Sequence, residues 1–148
     1  MPGFQAIGAI GQQLINHGTV DPSISLEQLN QLYNKGWHLL EARLFHQALT
    51  YFEVVATLSP LHSHALLALS ICCYETLESE RAKRLFEVLE FLNFQHPLFT
   101  LYRVYLLIDQ KNLTEAKTLA AQGVLLFQND PSLGPKLKTL YDRLIDEN

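Results

Sequence analysis

Six histidines (His17, His38, His46, His62, His64 and His96) and two adjacent cysteines, Cys72 and Cys73, are the side chains best suited to hold a metal or act as nucleophiles. Their spacing suits neither task. Only His62 and His64 lie close together in the chain. Residues two apart on a helix point away from each other, so a shared zinc would need a loop and outside ligands. Neighbouring helical residues diverge by about 100°, so a disulfide joining Cys72 to Cys73 would be strained. Both sit in an apolar helical run, where reduced, buried thiols are expected. No Gly-rich phosphate loop, nucleophile elbow or strand pattern is present to host other chemistry. The sequence therefore predicts no catalytic residue, no metal and no cofactor.

The chemistry that remains is that of apolar and aromatic surface. With 8 Phe, 6 Tyr and 1 Trp in 148 residues, the chain carries more aromatic area than a thin stack of helices can bury. Part of it is expected on the surface. Charged residues make up 18% of the chain, below the roughly 25% of soluble domains. Net charge is −4 with no Lys/Arg cluster, which disfavours nucleic acid and anionic membrane as partners. No apolar run approaches the roughly 18 residues of a spanning helix, so membrane insertion is not expected. No Lys or Arg precedes Lys35, which argues against signal and transit peptides. Asn112-Leu113-Thr114 is accordingly not expected to carry a glycan.

The elements that must position this surface are announced by a repeat. Ala48, Ala82 and Ala116 follow one another at intervals of 34 residues, Phe52 and Phe86 follow the first two at the same offset, and Gly36 and Ser70 precede them in step. Such a period marks stacked helix–turn–helix units, each unable to bury its apolar face alone. The first unit reads Leu32-x2-Lys35-Gly36-x2-Leu39, then Ala48-x3-Phe52, then Pro60. That is the tetratricopeptide pattern, with Leu for its Trp, Lys for its Leu and Leu for its Tyr. The expected fold is all-α: a tetratricopeptide-repeat α-solenoid of three helix pairs with a C-terminal capping helix and a marginal N-terminal helix. A single domain over 1–148 is expected, with a leading segment 1–24, repeats 25–60, 61–96 and 97–130, and a cap over 131–148.

Helix signals fill in that frame. Phe4, Ile7, Ile10 and Leu14 form one stripe over 4–17, where Gly8 and Gly11 each cost about 1 kcal/mol of helix propensity. Ser25 with Gln28 forms a capping box for a helix over 26–42. Further helices are expected over 45–57, 63–76, 79–93 with Ser79 as N-cap, and from Pro97 to 109. Asn112 should cap the next by its side chain, answered by Glu115, as far as 127. The last, over 135–146, carries Leu137, Leu140, Tyr141 and Leu144 on one stripe.

In such a stack the first helix of each pair lines the inner surface. Stepping by the repeat, the inward positions read Asn30, His64, Leu98; Tyr33, Leu67, Leu101; Trp37, Ile71, Tyr105; and Leu40, Tyr74, Ile108. Nearly all are apolar or aromatic. A hollow lined that way exposes more contiguous apolar surface than a monomer tolerates without a partner. We read it as a groove for an extended or helical segment of another protein. Tyr33, Trp37, Tyr74 and Tyr105 would be its anchors, since rigid aromatics lose little entropy on binding. Two alternatives stay open: a register shifted by one, which would make these residues core, and a hollow covered by residues 4–17. Glu41, Glu75 and Asp109 also repeat in step at helix C-termini, where negative charge is disfavoured by about 0.3–1 kcal/mol. They form either an acidic rim that selects a Lys- or Arg-bearing client or plain solvated helix ends.

From about residue 24 to 127 the chain resembles the tetratricopeptide chaperones of bacterial type III secretion, the class that guards translocator subunits. The resemblance rests on SLEQLNQLYNKGWHLLEARLFHQALTYFEVVATLSPLHSHALLALSICCYE. It includes Leu32-Tyr33 with Trp37 four residues on, the Ala48-x3-Phe52 helix, and a second repeat whose first helix is rich in small residues. The resemblance implies a non-enzymatic chaperone of the bacterial cytoplasm that holds an apolar client in its concave groove before export. It carries Tyr33, Trp37 and Leu40 over as groove positions; at Leu40 the family more often has an aromatic. It also implies dimerisation, or binding of a small co-chaperone, through residues 4–17. A sibling branch that chaperones the needle subunit resembles the chain in its repeats but is commonly shorter and lacks the leading segment. A general tetratricopeptide scaffold is the further alternative. A reader of peptide carboxylates would need Lys, Arg and Asn lining the hollow, where only Asn30 is found.

Overall fold

The computed structural model describes residues 24–146, which form helices and connecting turns. The helices are α1 (Leu26–Glu41), α2 (Phe45–Leu58), α3 (Ser63–Glu75), α4 (Ser79–Phe91), α5 (Pro97–Asp109), α6 (Leu113–Leu126) and α7 (Leu133–Asp146). The fold is all-α, built from the helix pairs that the repeat predicts, and each boundary falls within about two residues of expectation. The helix expected over 4–17 lies outside the described residues. The chain divides into two compact units, one ending at Leu92 and the other beginning at Asn93.

In the first unit α1 packs on α2, α2 on α3 and α3 on α4, with a smaller contact between α1 and α3. The repeating alanines make this possible. Ala48 and Ala82 are buried completely, as is Phe52 one turn after the first of them. Gly36 lets α1 approach α2 closely: a Cβ there would stand 2.9 Å from Phe52 Cε1 and 3.1 Å from Tyr51 Cβ. Helix α3 is apolar nearly all round and is buried without a break from Ala65 to Cys73, as a helix hydrophobic on every side must be. Ser70 meets that burial by donating its hydroxyl to the Leu67 carbonyl at 2.6 Å.

In the second unit α5 packs on α6 and α6 on α7, again with a smaller contact between first and third. Val104, Ala116, Ala120 and Leu144 form the core, joined by the half-buried Leu107, Ile108, Leu119, Leu140 and Tyr141. Asp130 accepts from the backbone N–H groups of Ser132 and Leu133 at 3.0 and 2.7 Å. That Asx turn starts α7 at Leu133, two residues before the expected Pro135.

The turns inside the helix pairs repeat as faithfully as the alanines. In each, two backbone bonds close a Schellman motif: Leu44 N–H to Leu39 and Arg43 N–H to Leu40, Glu78 to Cys73 and Leu77 to Tyr74, Asn112 to Leu107 and Lys111 to Ile108. The left-handed residue that glycine usually supplies is here Arg43 (φ 62°), Leu77 (φ 67°) and Lys111 (φ 60°). This geometry corrects two expected caps. Glu78 rather than Ser79 holds the N-cap position, and neither it nor Asn112 makes a side-chain cap bond. The tight turn sets ψ at Leu44, Glu78 and Asn112 to 67°, 62° and 71°, well short of the extended value at Ser25 (ψ 157°), where the predicted capping box does form.

Candidate peptide-binding site

The repeat stripe assigned to the inner surface splits into a buried floor and a half-exposed rim. Tyr33 and Trp37, at 2% and 7% exposure, are interior, together with Leu67 and Ile71 in the first unit and Leu101 in the second. The expectation that these side chains stand open to a partner therefore does not hold. Leu29, Tyr33, Gly36 and Trp37 form the α1 face that rests on α2. Tyr33 meets Phe52 edge-on at 5.7 Å and stacks on His62 at 5.3 Å, while Trp37 stacks on Tyr33 at 6.3 Å and meets Phe52 edge-on at 6.5 Å. Burial also lifts the Tyr33 phenol far above its ordinary range, so it stays neutral. Leu67 and Ile71 are closed off within α3, the helix buried throughout its middle.

The rim is what remains open. In the first unit it consists of Leu40 near the end of α1, with His64 and Tyr74 at the two ends of α3, all half-buried. In the second unit Leu98, Tyr105 and Ile108 of α5 are half-buried. Tyr105 meets Tyr102 edge-on at 5.4 Å, and Ile108 leans on the core around Val104. Each rim set presents apolar or aromatic surface above packed side chains, which fixes rotamers and so lowers the entropy lost on binding.

The acidic trio ends its helices as the sequence indicates: Glu41, Glu75 and Asp109 are the last residues of α1, α3 and α5. Glu41 and Asp109 are exposed, whereas Glu75 is half-buried and lies 3.9 Å from Arg43. Arg43 reaches it from the left-handed turn position, so the turn residue supplies a counter-charge that the sequence reading did not foresee.

Two histidines were missed as structural groups. His62 and His96, one repeat apart, are the N-caps of α3 and α5, and the Nδ1 atoms accept from Ala65 N–H and Leu98 N–H at 3.1 Å each. Their common offset from the start of a predicted helix was the available signal. His62 is fully buried, and desolvation, with the His64 charge adding to it, lowers its pKa to about 4. Its Nδ1 accepts, so neutral His62 carries its proton on Nε2. That atom, Trp37 Nε1, Asn30 Oδ1 and Ser59 Oγ are buried with no hydrogen-bond partner among the described residues. Burial pushes the thiols of Cys72 and Cys73 up to about 12 and about 11, which makes them poor nucleophiles and poor ligands. Among the described residues no group of three or more His, Cys, Asp and Glu is placed to hold a metal ion.

No family model matches the chain, and no curated protein matches it in sequence. Its fold, in contrast, is found in solved structures. The type III secretion translocator chaperone SycD of Yersinia enterocolitica, crystallised as an alternative dimer, superposes with a TM-score of 0.75 at 18% identity, covering 86% of this chain and 98% of that one. PcrH, a protein of Pseudomonas aeruginosa, in complex with the chaperone-binding region of PopD gives 0.73 at 17% identity, covering 84% and 96%. A type III secretion complex from Aeromonas hydrophila gives 0.74 at 19% identity, covering 99% and 97%. At these identities the likeness is one of fold, and this chain shares the helical architecture of the translocator chaperones.

Proposed function

We propose that this chain is a non-enzymatic chaperone of type III secretion that works in the bacterial cytoplasm. It holds an apolar segment of a secreted translocator subunit, keeping that client soluble and unassembled before export. The observation that carries the reading is that each unit joins half-exposed apolar side chains to interior ones of the same repeat stripe: Leu40 and Tyr74 with Tyr33, Trp37, Leu67 and Ile71 in the first, and Leu98, Tyr105 and Ile108 with Leu101 in the second. The client trades water for the rim, and the floor holds the rim in shape. The fold likeness to the translocator chaperone SycD and to PcrH in complex with the chaperone-binding region of PopD supports the translocator branch over the needle-subunit branch. The SycD dimer supports a second copy of this chain as partner, for which residues 4–17 supply an amphipathic stripe. The acidic residues Glu41 and Asp109 would favour a client with Lys or Arg beside its apolar segment.

The test is co-expression with the secreted proteins encoded beside this chain, comparing the parent with Leu40→Ser/Tyr74→Ala. The client should be soluble with the parent and insoluble with the double variant, whose helicity and melting stay close to the parent's. A client equally soluble in both cases overturns the reading.

A further inference from the structure

The second unit carries a groove of a different character. It lies between α5 and α7, encloses about 390 Å³, and is lined by Tyr105, Pro135, Lys136, Thr139, Leu140 and Arg143. Its floor is apolar, made by the Tyr105 ring and the half-buried Leu140. Its α7 edge is cationic. Lys136, Leu140 and Arg143 follow one another at four and three residues, so they share one stripe of the helix with the apolar side chain between the two charges. The other cation of this stretch, Lys138, is already committed to Asp142 at 2.7 Å. Lys136 and Arg143 are exposed and form no ion pair among the described residues.

We propose that this groove binds an acidic apolar peptide segment: two carboxylates that meet Lys136 and Arg143, flanking an apolar side chain that lies on Tyr105 and Leu140. The inference rests on the reading of the chain as a client-binding chaperone and adds a charge preference that the apolar rim cannot supply. Two helical turns separate the cations by about 10 Å along α7. In an extended segment side chains four residues apart share a face at about 13 Å, with the residue midway on that same face, which the long Lys and Arg side chains can span; a helical segment covers the distance in two turns. Two isolated cations over an apolar floor do not suit a polyphosphate backbone, which is tracked by a dense basic stripe. They suit a peptide in which charge selects and orients while apolar contact holds. In the first unit the rim ends at Glu41 and Glu75, and in the second the exposed Asp109 ends α5 one turn past Tyr105, so the preference for acid belongs to the Lys136–Arg143 edge that α7 supplies.

The experiment uses the full chain, isotope-labelled for amide NMR, with three synthetic peptides: Ac-Gly-Glu-Ser-Phe-Ser-Glu-Gly-amide, whose Glu and Phe side chains share one face when extended, and its Gln and Lys counterparts. The acidic peptide should shift the amides of Tyr105, Lys136, Leu140 and Arg143 and bind about fivefold or more tighter than the Gln peptide, with the Lys peptide weakest. The preference should vanish in Lys136→Glu/Arg143→Glu and in about 0.5 M NaCl, where screening acts within about 4 Å. Lys136→Gln/Arg143→Gln, which removes charge without reversing it, should bring acidic and Gln peptides to equal affinity. Equal binding of acidic and Gln peptides to the parent overturns the inference, as does acidic binding that survives both double variants. The reading as a chaperone fails separately, when Leu40→Ser/Tyr74→Ala leaves the client soluble.

Discussion

Between pH 7 and pH 5 the protein should lose about 2 kcal/mol of stability through His62 alone. The side chain is buried and stacked on Tyr33, and it caps α3 through an unprotonated Nδ1. Desolvation by burial, then the neighbouring His64, lower its pKa from 6.5 to about 4. As the pH falls the unfolded chain takes up the proton first. Stability from this group is therefore fully present above pH 6.5 and drains between there and about pH 4, by about 3.4 kcal/mol in all at roughly 1.36 per pKa unit. His64, whose pKa is lowered too by burial, adds to the same slope. The decisive variant is His62→Asn, which keeps a side-chain acceptor for the Ala65 N–H and removes the titration. Urea unfolding at pH 7, 6 and 5 reads the effect. Parent and variant should differ in slope by about 2 kcal/mol over this range, whatever the cost of the smaller side chain at pH 7. Parallel pH profiles would refute the reasoning, because His62 would then titrate alike in both states.

Trp37→Ala should cost about 3–5 kcal/mol in urea unfolding, the range for emptying a large core site, whereas Trp37→Phe should cost far less. Phe keeps most of the packing against Phe52 and Tyr33 and removes the Nε1–H that is buried without a partner. A mild Trp37→Ala would place the indole on the surface after all. Leu77→Gly should stabilise the protein by about 0.5–1 kcal/mol in thermal melts, because Leu pays for its left-handed φ of 67° while, at 88% exposure, it packs on little. A lowered melting temperature would show that the exposed side chain contributes contacts of its own. Cys72 and Cys73 should resist a soluble disulfide reagent at pH 8 in the native state and react promptly in urea, since burial raises both thiols. Rapid native labelling would mean that α3 opens locally.

The helices were legible because their signals are local. The period in Ala48, Ala82 and Ala116 fixes the pairs, Ser25 with Gln28 opens α1, and Pro97 stands at the first position of α5. Caps were less legible because they depend on the turn before them. A Ser or Asn just ahead of a helix caps only if its backbone is extended, and the Schellman turns leave Glu78 and Asn112 at intermediate ψ values. Those turns gave little warning, since Arg43, Leu77 and Lys111 occupy positions where composition suggests Gly. His62 and His96, at ψ 92° and 139°, are extended and do cap their helices, α3 and α5.

The same contrast of local and tertiary signals explains the site. Stepping by the repeat found the stripe but could not separate its floor from its rim, because both are apolar. One residue carried the missing information. Gly36 marks where α1 and α2 approach closely, so its neighbours Tyr33 and Trp37 must share that closed face. Likewise an unbroken apolar run such as Ala65 to Cys73 leaves no side open, which confines the open part of α3 to its two ends, Ser63 with His64 and Tyr74 with Glu75. The distinction decides how variants are read. A substitution in the floor removes the packing that shapes the rim, so it lowers stability and binding together and cannot separate them. Leu40 and Tyr74 are half-buried and Lys136 and Arg143 exposed, so they have less packing to lose, and at those residues a loss of binding with folding intact would report on recognition itself.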